Sequence, residues 1–192
     1  MSSFSDRLAS AKAAVKPFRD VVVSLDADVS ERRAELVEAM AKAKANPDAR
    51  LAAKSAPDLI QEQLDELLAL TADSLVTLRF SRMSGVDWAE VTARCPVRLD
   101  AAIDRQYGYN MHAVCALAAP LSGVRVEGGE LVPLVVSPAS AGVPAVNEWA
   151  DLLTTVSGFE FGLIVDAIYE LNEYEPASRV ASLVKELATR PA

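Results

Sequence analysis

Ser74-Leu75-Val76-Thr77-Leu78-Arg79-Phe80-Ser81 is the stretch where the hydrophobic period of this chain changes. Val76, Leu78 and Phe80 alternate with Thr77, Arg79 and Ser81, the two-residue repeat of a strand with one face on a core. The residues just before it, from Ser30 to Asp73, are dense in charge and repeat at helical spacing. The change predicts a boundary, with an N-terminal helical segment over 1–73 and a main α+β domain over 74–192. The expected fold class is α+β and mainly helical, with small β elements, an N-terminal helical hairpin and a C-terminal three-helix region.

Upstream, Phe4, Leu8, Ala11 and Val15 fall on one helical stripe that Pro17 ends, and Val21-Val22-Val23 is a β-branched run suited to a buried strand. The hairpin is predicted from two helices. The first runs from Ser30 to Ala45 with a narrow stripe of Leu36, Val37 and Met40 and is ended by Asn46-Pro47. The second starts at Ser55 or Ala56, with Pro57 in its first turn and a stripe of Ile60, Leu64, Leu67 and Leu68.

Downstream, helical spacing returns with Trp88, Val91 and Cys95, closed by Pro96; Asn110 is a cap for a helix that Pro120 would stop. Gly128-Gly129 between two short β-rich runs predicts a hairpin whose second strand, next to Pro133, lies at an edge. Residues 137–146 read as a loop. Three helices then carry Trp149, Leu152, Leu153 and Val156; Phe161, Ile164, Ile168 and Leu171; and Val180, Leu183, Val184 and Leu187. Ser157 and Glu160 fit a capping box, and Pro176 opens the last helix. In Tyr169-Glu170-Leu171-Asn172-Glu173-Tyr174-Glu175-Pro176 the expectation is a corner between two helices, with Tyr169, Leu171 and Tyr174 packed and the glutamates solvated.

Composition narrows the chemistry. The 192 residues are 51% hydrophobic, enough for a real core, and the formal net charge of −8 disfavours nucleic acid and anionic membranes as partners. No run approaches the ~20 apolar residues of a membrane span. Cys95 and Cys115 lack companions at metal-ligand or disulfide spacing and fit a reducing compartment. His112, the only histidine, reads as a partly buried structural residue; with Cys115 it would make a nucleophile pair that lacks an orienting third group. No phosphate-cradling glycine motif occurs, and Glu62, Asp65 and Glu66 read as a solvated face without the glycine turn of a calcium loop. No catalytic residue, metal ligand or cofactor is expected, and the chain reads as a binding protein, not an enzyme. Partner-binding candidates are the stripe residues Leu36, Met40, Leu64 and Leu67 and the two tryptophans, Trp88 and Trp149.

The order of "SLVTLRFSRMSGVDWAEVTARCP", "DRQYGYNMHAVCALAAP" and "NEWADLLTTVSGFEFGLIVDAIYELNEYEPASRV" resembles the tail assembly chaperones of long-tailed bacteriophages infecting actinobacteria, over residues 74–185. The sequences "YGYN", "YELN" followed by a proline, and a tryptophan ahead of Val156-Ser157-Gly158 carry most of the likeness. The resemblance implies a protein of the host cytoplasm that binds the tape-measure protein, keeps it soluble and promotes assembly of tail-tube subunits around it. It also implies self-association and a longer, frameshifted form sharing this part. A head–tail connector or tail protein retained in the virion is the alternative.

Overall fold

The structure, a computed structural model, describes residues 3–45, 55–140 and 144–189. It is a mainly helical α+β fold. Its elements are α1 (Phe4–Ala13), β1 (Phe18–Ser24), α2 (Ala27–Ala45), α3 (Ala56–Leu70), β2 (Leu75–Ser81), α4 (Gly85–Ala93), α5 (Ala102–Tyr107), α6 (Met111–Ser122), β3 (Gly123–Glu127), β4 (Glu130–Val132), β5 (Val136–Ser137), β6 (Val146–Asn147), α7 (Glu148–Thr155), α8 (Gly158–Tyr169) and α9 (Glu175–Thr189).

Four strands form one antiparallel sheet in the order β1-β2-β3-β4. The alternation in β2 does what its period predicts. Leu78 and Phe80 are fully buried, and Val21 and Val23 of β1 face the same side opposite Leu78 and Val76. On the other side Asp20 sits directly across from Arg79 and takes two hydrogen bonds of 2.7 Å from its guanidinium, which also stacks 3.9 Å over the Phe18 ring. Gly128 and Gly129, both at positive φ, make the tight turn from β3 to β4, and β4 lies at the sheet edge beside Pro133.

Helices α6 and α8 cover the buried side of the sheet, and α4 and α7 pack on α6. Gly123, at the junction of α6 and β3, permits a close approach: a Cβ there would lie 2.6 Å from the Trp149 ring and 2.7 Å from the Phe80 ring. Helix α6 is capped by Asn110 as expected but runs two residues past Pro120. A proline in the last turn removes one N–H bond without preventing the carbonyls beyond it from staying helical.

The boundary expected at residue 73 does not divide the core. β1 belongs to the segment assigned to the N-terminal part, yet every residue of it is paired with β2, and Val21 and Val23 enter the same apolar cluster as Leu78, Ile164 and Leu171. The α2–α3 hairpin is thus inserted between two neighbouring strands. Its base is anchored: Arg33 of α2 donates to the Val22 carbonyl at 2.7 Å and pairs at 3.2 Å with Glu160 of α8, and the Ser30 and Ser157 hydroxyls meet. Ser157 caps α8 through the Glu160 N–H, but the Glu160 carboxylate turns inward to Arg33, so the expected capping box is half formed. A charged residue with 0% exposure needs a partner, and the cap backbone offers a weaker one than a guanidinium. Helix α3 starts with a full capping box between Ser55 and Asp58. The expected stop at Asn46-Pro47 lies outside the described residues, as do three residues of the loop over 137–146.

Candidate functional site

Between α8 and α9 the chain does not turn a corner. Glu170–Tyr174 forms a π-helical turn closed by the Glu175 N–H bonding to the Glu170 carbonyl, with helical backbone angles on both sides. A π turn is wider than an α turn and leaves carbonyls free for outside donors. Arg82, just after β2, uses this: its Nε donates to the Leu171 carbonyl at 2.6 Å and its guanidinium reaches Glu175 at 3.1 Å. Asn172 also works in two directions, accepting from the Met83 N–H at 2.9 Å and donating to the Ile168 carbonyl at 2.8 Å.

The glutamates of this turn, expected to be solvated, are all engaged. Glu173 accepts from the Trp88 indole at 2.8 Å and from the Tyr109 hydroxyl at 3.4 Å; Arg19 of β1 bridges Glu170 at 3.0 Å and Glu175 at 2.8 Å. Around them the aromatic rings meet edge to face, Tyr107 with Tyr169 at 5.0 Å and Trp88 with Tyr109 at 6.2 Å. Burial raises the Tyr109 phenol above its usual range, helped by the nearby Glu173 charge, and burial likewise raises Tyr169. Leu171 is fully buried as expected, whereas Tyr174 is 58% exposed and does not pack. In a continuous helix its position falls on the outer face.

The nucleophile pair is not assembled. Cys115 has 0% exposure, its Sγ lies 3.7 Å from the Val165 carbonyl, and burial pushes the thiol up to about 12, so the thiolate is scarce near neutral pH. His112, expected to be partly buried, is exposed and stands 6.1 Å from the Phe161 ring. Asp104, inaccessible to solvent like Glu160, takes two bonds from the Arg98 side chain and one from the Arg98 N–H; these hold its carboxyl down to about 2. This ion pair ties the loop ahead of α5 to the helix, with the Asp104 carboxylate fully occupied by Arg98. Among the described residues no three His, Cys, Asp or Glu side chains lie where they could hold a metal ion, and no helix is long and apolar enough to cross a membrane.

The six partner-binding candidates separate into core and half-buried residues. Trp88, Trp149, Leu36 and Met40 are buried, the first two in the main cluster and the last two on α2. Leu64 and Leu67 are half-buried on α3, which packs along α2. Trp88 and Trp149 belong to the core cluster, whereas Leu36 and Met40 are buried within the α2–α3 hairpin, where Leu36 also borders an open groove.

Exposed apolar surface lies elsewhere. Every residue of α1 is exposed, including Phe4 at 72% and Leu8 at 44%, and Val15 just beyond it at 88%. Helix α3 has a second, outer apolar face with Leu59 and Leu70 exposed. There Leu36, Leu67 and Leu70, with Arg32, Gln63 and Glu66, line a shallow groove of about 220 Å³ between α2 and α3. A larger cleft of about 520 Å³ between α4 and the end of α6 mixes Lys16, Arg82 and Arg94 with Asp87 and Glu90, so it has no dominant charge with which to select an ion. The stripe on α1 was readable from its spacing; that it stays uncovered was not. No family model matches the chain, and neither a curated protein nor a solved structure matches it significantly.

Proposed function

We propose that this protein is a tail assembly chaperone of long-tailed actinobacteriophages. It binds the tape-measure protein in the host cytoplasm, keeps it soluble and yields it to tail-tube subunits as they polymerise around it. The observation that carries the reading is where the residues of the resemblance converge. Tyr107 and Tyr109 of "YGYN" touch Tyr169 and Trp88, Glu173 beside "YELN" joins Trp88 to Tyr109, and Asn172 holds Met83. Segments far apart in the chain thus form one connected unit, as expected if the resemblance reflects a shared fold and not chance similarity of composition.

The surface supports the same reading. A tape-measure chain is long and helical, and amphipathic helices with an uncovered apolar face can take up its apolar stripes. Helix α1 offers such a face, with Phe4 and Leu8 exposed, and Val180 of α9 is 61% exposed. The net charge of −8 keeps a loaded complex dispersed. Release needs no nucleotide, since tube subunits that bind the client more tightly displace the chaperone by mass action.

Co-expression tests the reading. With this protein the cognate tape-measure protein is expected in the soluble fraction and co-purifies with it; a client that stays insoluble at every expression ratio overturns the proposal. The alternative, a head–tail connector or other tail protein, predicts the chain in purified particles by mass spectrometry, whereas a chaperone is absent from them. A longer frameshifted product would be found with the same client.

A further inference from the structure

We propose that α1 of one copy docks on the outer face of the α2–α3 hairpin of a second copy, giving a two-fold dimer in which the contact is made twice. On the helical wheel of α1 Phe4, Leu8 and Ala11 fall on one line, with Arg7 on one side of it and Lys12 on the other, and Val15 is exposed just past the helix end. Asp6, the only carboxylate of α1, points the opposite way and is held by the Ser3 cap. The helix thus presents an apolar stripe flanked by two cations, and among the described residues none covers it.

The hairpin presents the complement. Helix α3 contains four carboxylates, Asp58, Glu62, Asp65 and Glu66, and no lysine or arginine. Its stripe of Ile60, Leu64, Leu67 and Leu68 turns toward α2, yet Leu59, Gln63, Glu66 and Leu70 share a second line on the outer side. Leu59 is 48% and Leu70 79% exposed, and Leu70 and Glu66 border the groove whose floor is Leu36. A side chain the size of Phe4 or Leu8 set into that groove brings Arg7 or Lys12 beside Glu66. Arg32 of α2 also lines the groove but is paired with Glu35 at 2.8 Å, so the carboxylates of α3 set the sign of this face, which suits a cationic amphipathic helix better than a second acidic one.

Topology favours docking between copies. The hairpin leaves β1 at the Ser24 end and α1 leaves it at the Phe18 end, and a strand of seven residues spans roughly 23 Å. The four residues 14–17 reach at most about 14 Å when fully extended, so α1 could meet its own hairpin only by lying back along β1. Two-fold symmetry doubles the buried area, bringing two short helices toward the roughly 1,200–2,000 Å² of a stable interface.

The test is the mass of the full-length protein in solution by analytical ultracentrifugation over a range of concentrations. The expected result is a monomer–dimer equilibrium whose dissociation constant rises at least tenfold in the double variant Phe4→Asp with Leu8→Asp, and also in Leu70→Asp. These side chains are exposed, so the variants keep the wild-type circular dichroism and melting temperature extrapolated to low concentration. Glu66→Lys weakens the dimer, and adding Arg7→Glu with Lys12→Glu restores it, a recovery that loss of folding could not produce. A protein that is monomeric at all concentrations, a dimer indifferent to these variants, or cross-links from α1 to the hairpin confined to one chain would each overturn the proposal. Client solubilisation is scored separately, so failure here leaves the chaperone reading standing and the reverse also holds.

Discussion

Two acidic stretches of this chain look alike in sequence and end up in different physical states. In α3 two carboxylates bond within their own helix: Asp58 closes the cap with Ser55 and Asp65 accepts from Gln61 one turn away. In the turn from Glu170 to Glu175 the partners are distant, with 85 residues between Glu173 and Trp88 and 156 between Glu175 and Arg19. The first stretch decorates a surface, and the second joins β1, the end of β2, α4 and the start of α6 to the last long helix. A carboxylate's neighbours in sequence therefore say little about its role when arginines and indole N–H groups from other elements can reach it.

The largest expected difference between the two regions is in packing. Leu171→Ala should cost about 2–5 kcal/mol, because a fully buried side chain is removed and the π turn holds its surroundings in place. Leu70→Ala should stay within about 0.5 kcal/mol when measured below the concentration of self-association. Chemical denaturation of the two variants decides this; equal losses would abolish the contrast.

Next is the carboxylate itself. Glu173→Ala leaves the Trp88 indole and the Tyr109 hydroxyl without their acceptor and should cost about 1–3 kcal/mol, whereas Glu66→Ala should fall within about 0.5 kcal/mol. A neutral Glu173→Ala would return this residue to the solvated class to which its sequence context points.

Acid titration sharpens the comparison further. Asp104 is held down to about 2 by Arg98, below the ~3.9 of an unfolded aspartate. Its contribution is therefore fully present above about pH 4 and is lost as the pH falls toward 2. Stability measured over that window should decline in the parent protein, and Asp104→Asn should remove part of the decline; identical slopes would show that the ion pair does not govern it. The smallest effect belongs to Tyr174→Ala, expected within about 0.5 kcal/mol because the ring is 58% exposed, while Tyr169→Ala, which loses its contact with Tyr107, should cost clearly more.

Much of the fold was legible because its signals are local. The alternation in Val76, Leu78 and Phe80, the glycine pair at 128–129, the caps at Ser55, Asn110 and Ser157, and the paired stripes of the hairpin each depend on residues within a few positions. What escaped was long-range. Nothing near Val21–Val23 announces that this run pairs with β2 across an inserted hairpin, so the boundary was drawn through the sheet. The inward turn of Glu160 depends on Arg33, 127 residues away. The tryptophans were ambiguous for the same reason: an apolar stripe is identical in sequence whether its own chain or a partner covers it, and here the sheet covers Trp149 and the π turn takes Trp88.

The proposed function requires this protein to hold a tape-measure chain in solution. The most direct measurement is light scattering as the denatured tape-measure protein is diluted into buffer containing increasing amounts of this purified protein. Scattering is expected to fall with added protein and to be suppressed near stoichiometric ratios, with a soluble complex recovered afterwards by size exclusion. Scattering that rises at the same rate at every ratio, with no complex recovered, would contradict it.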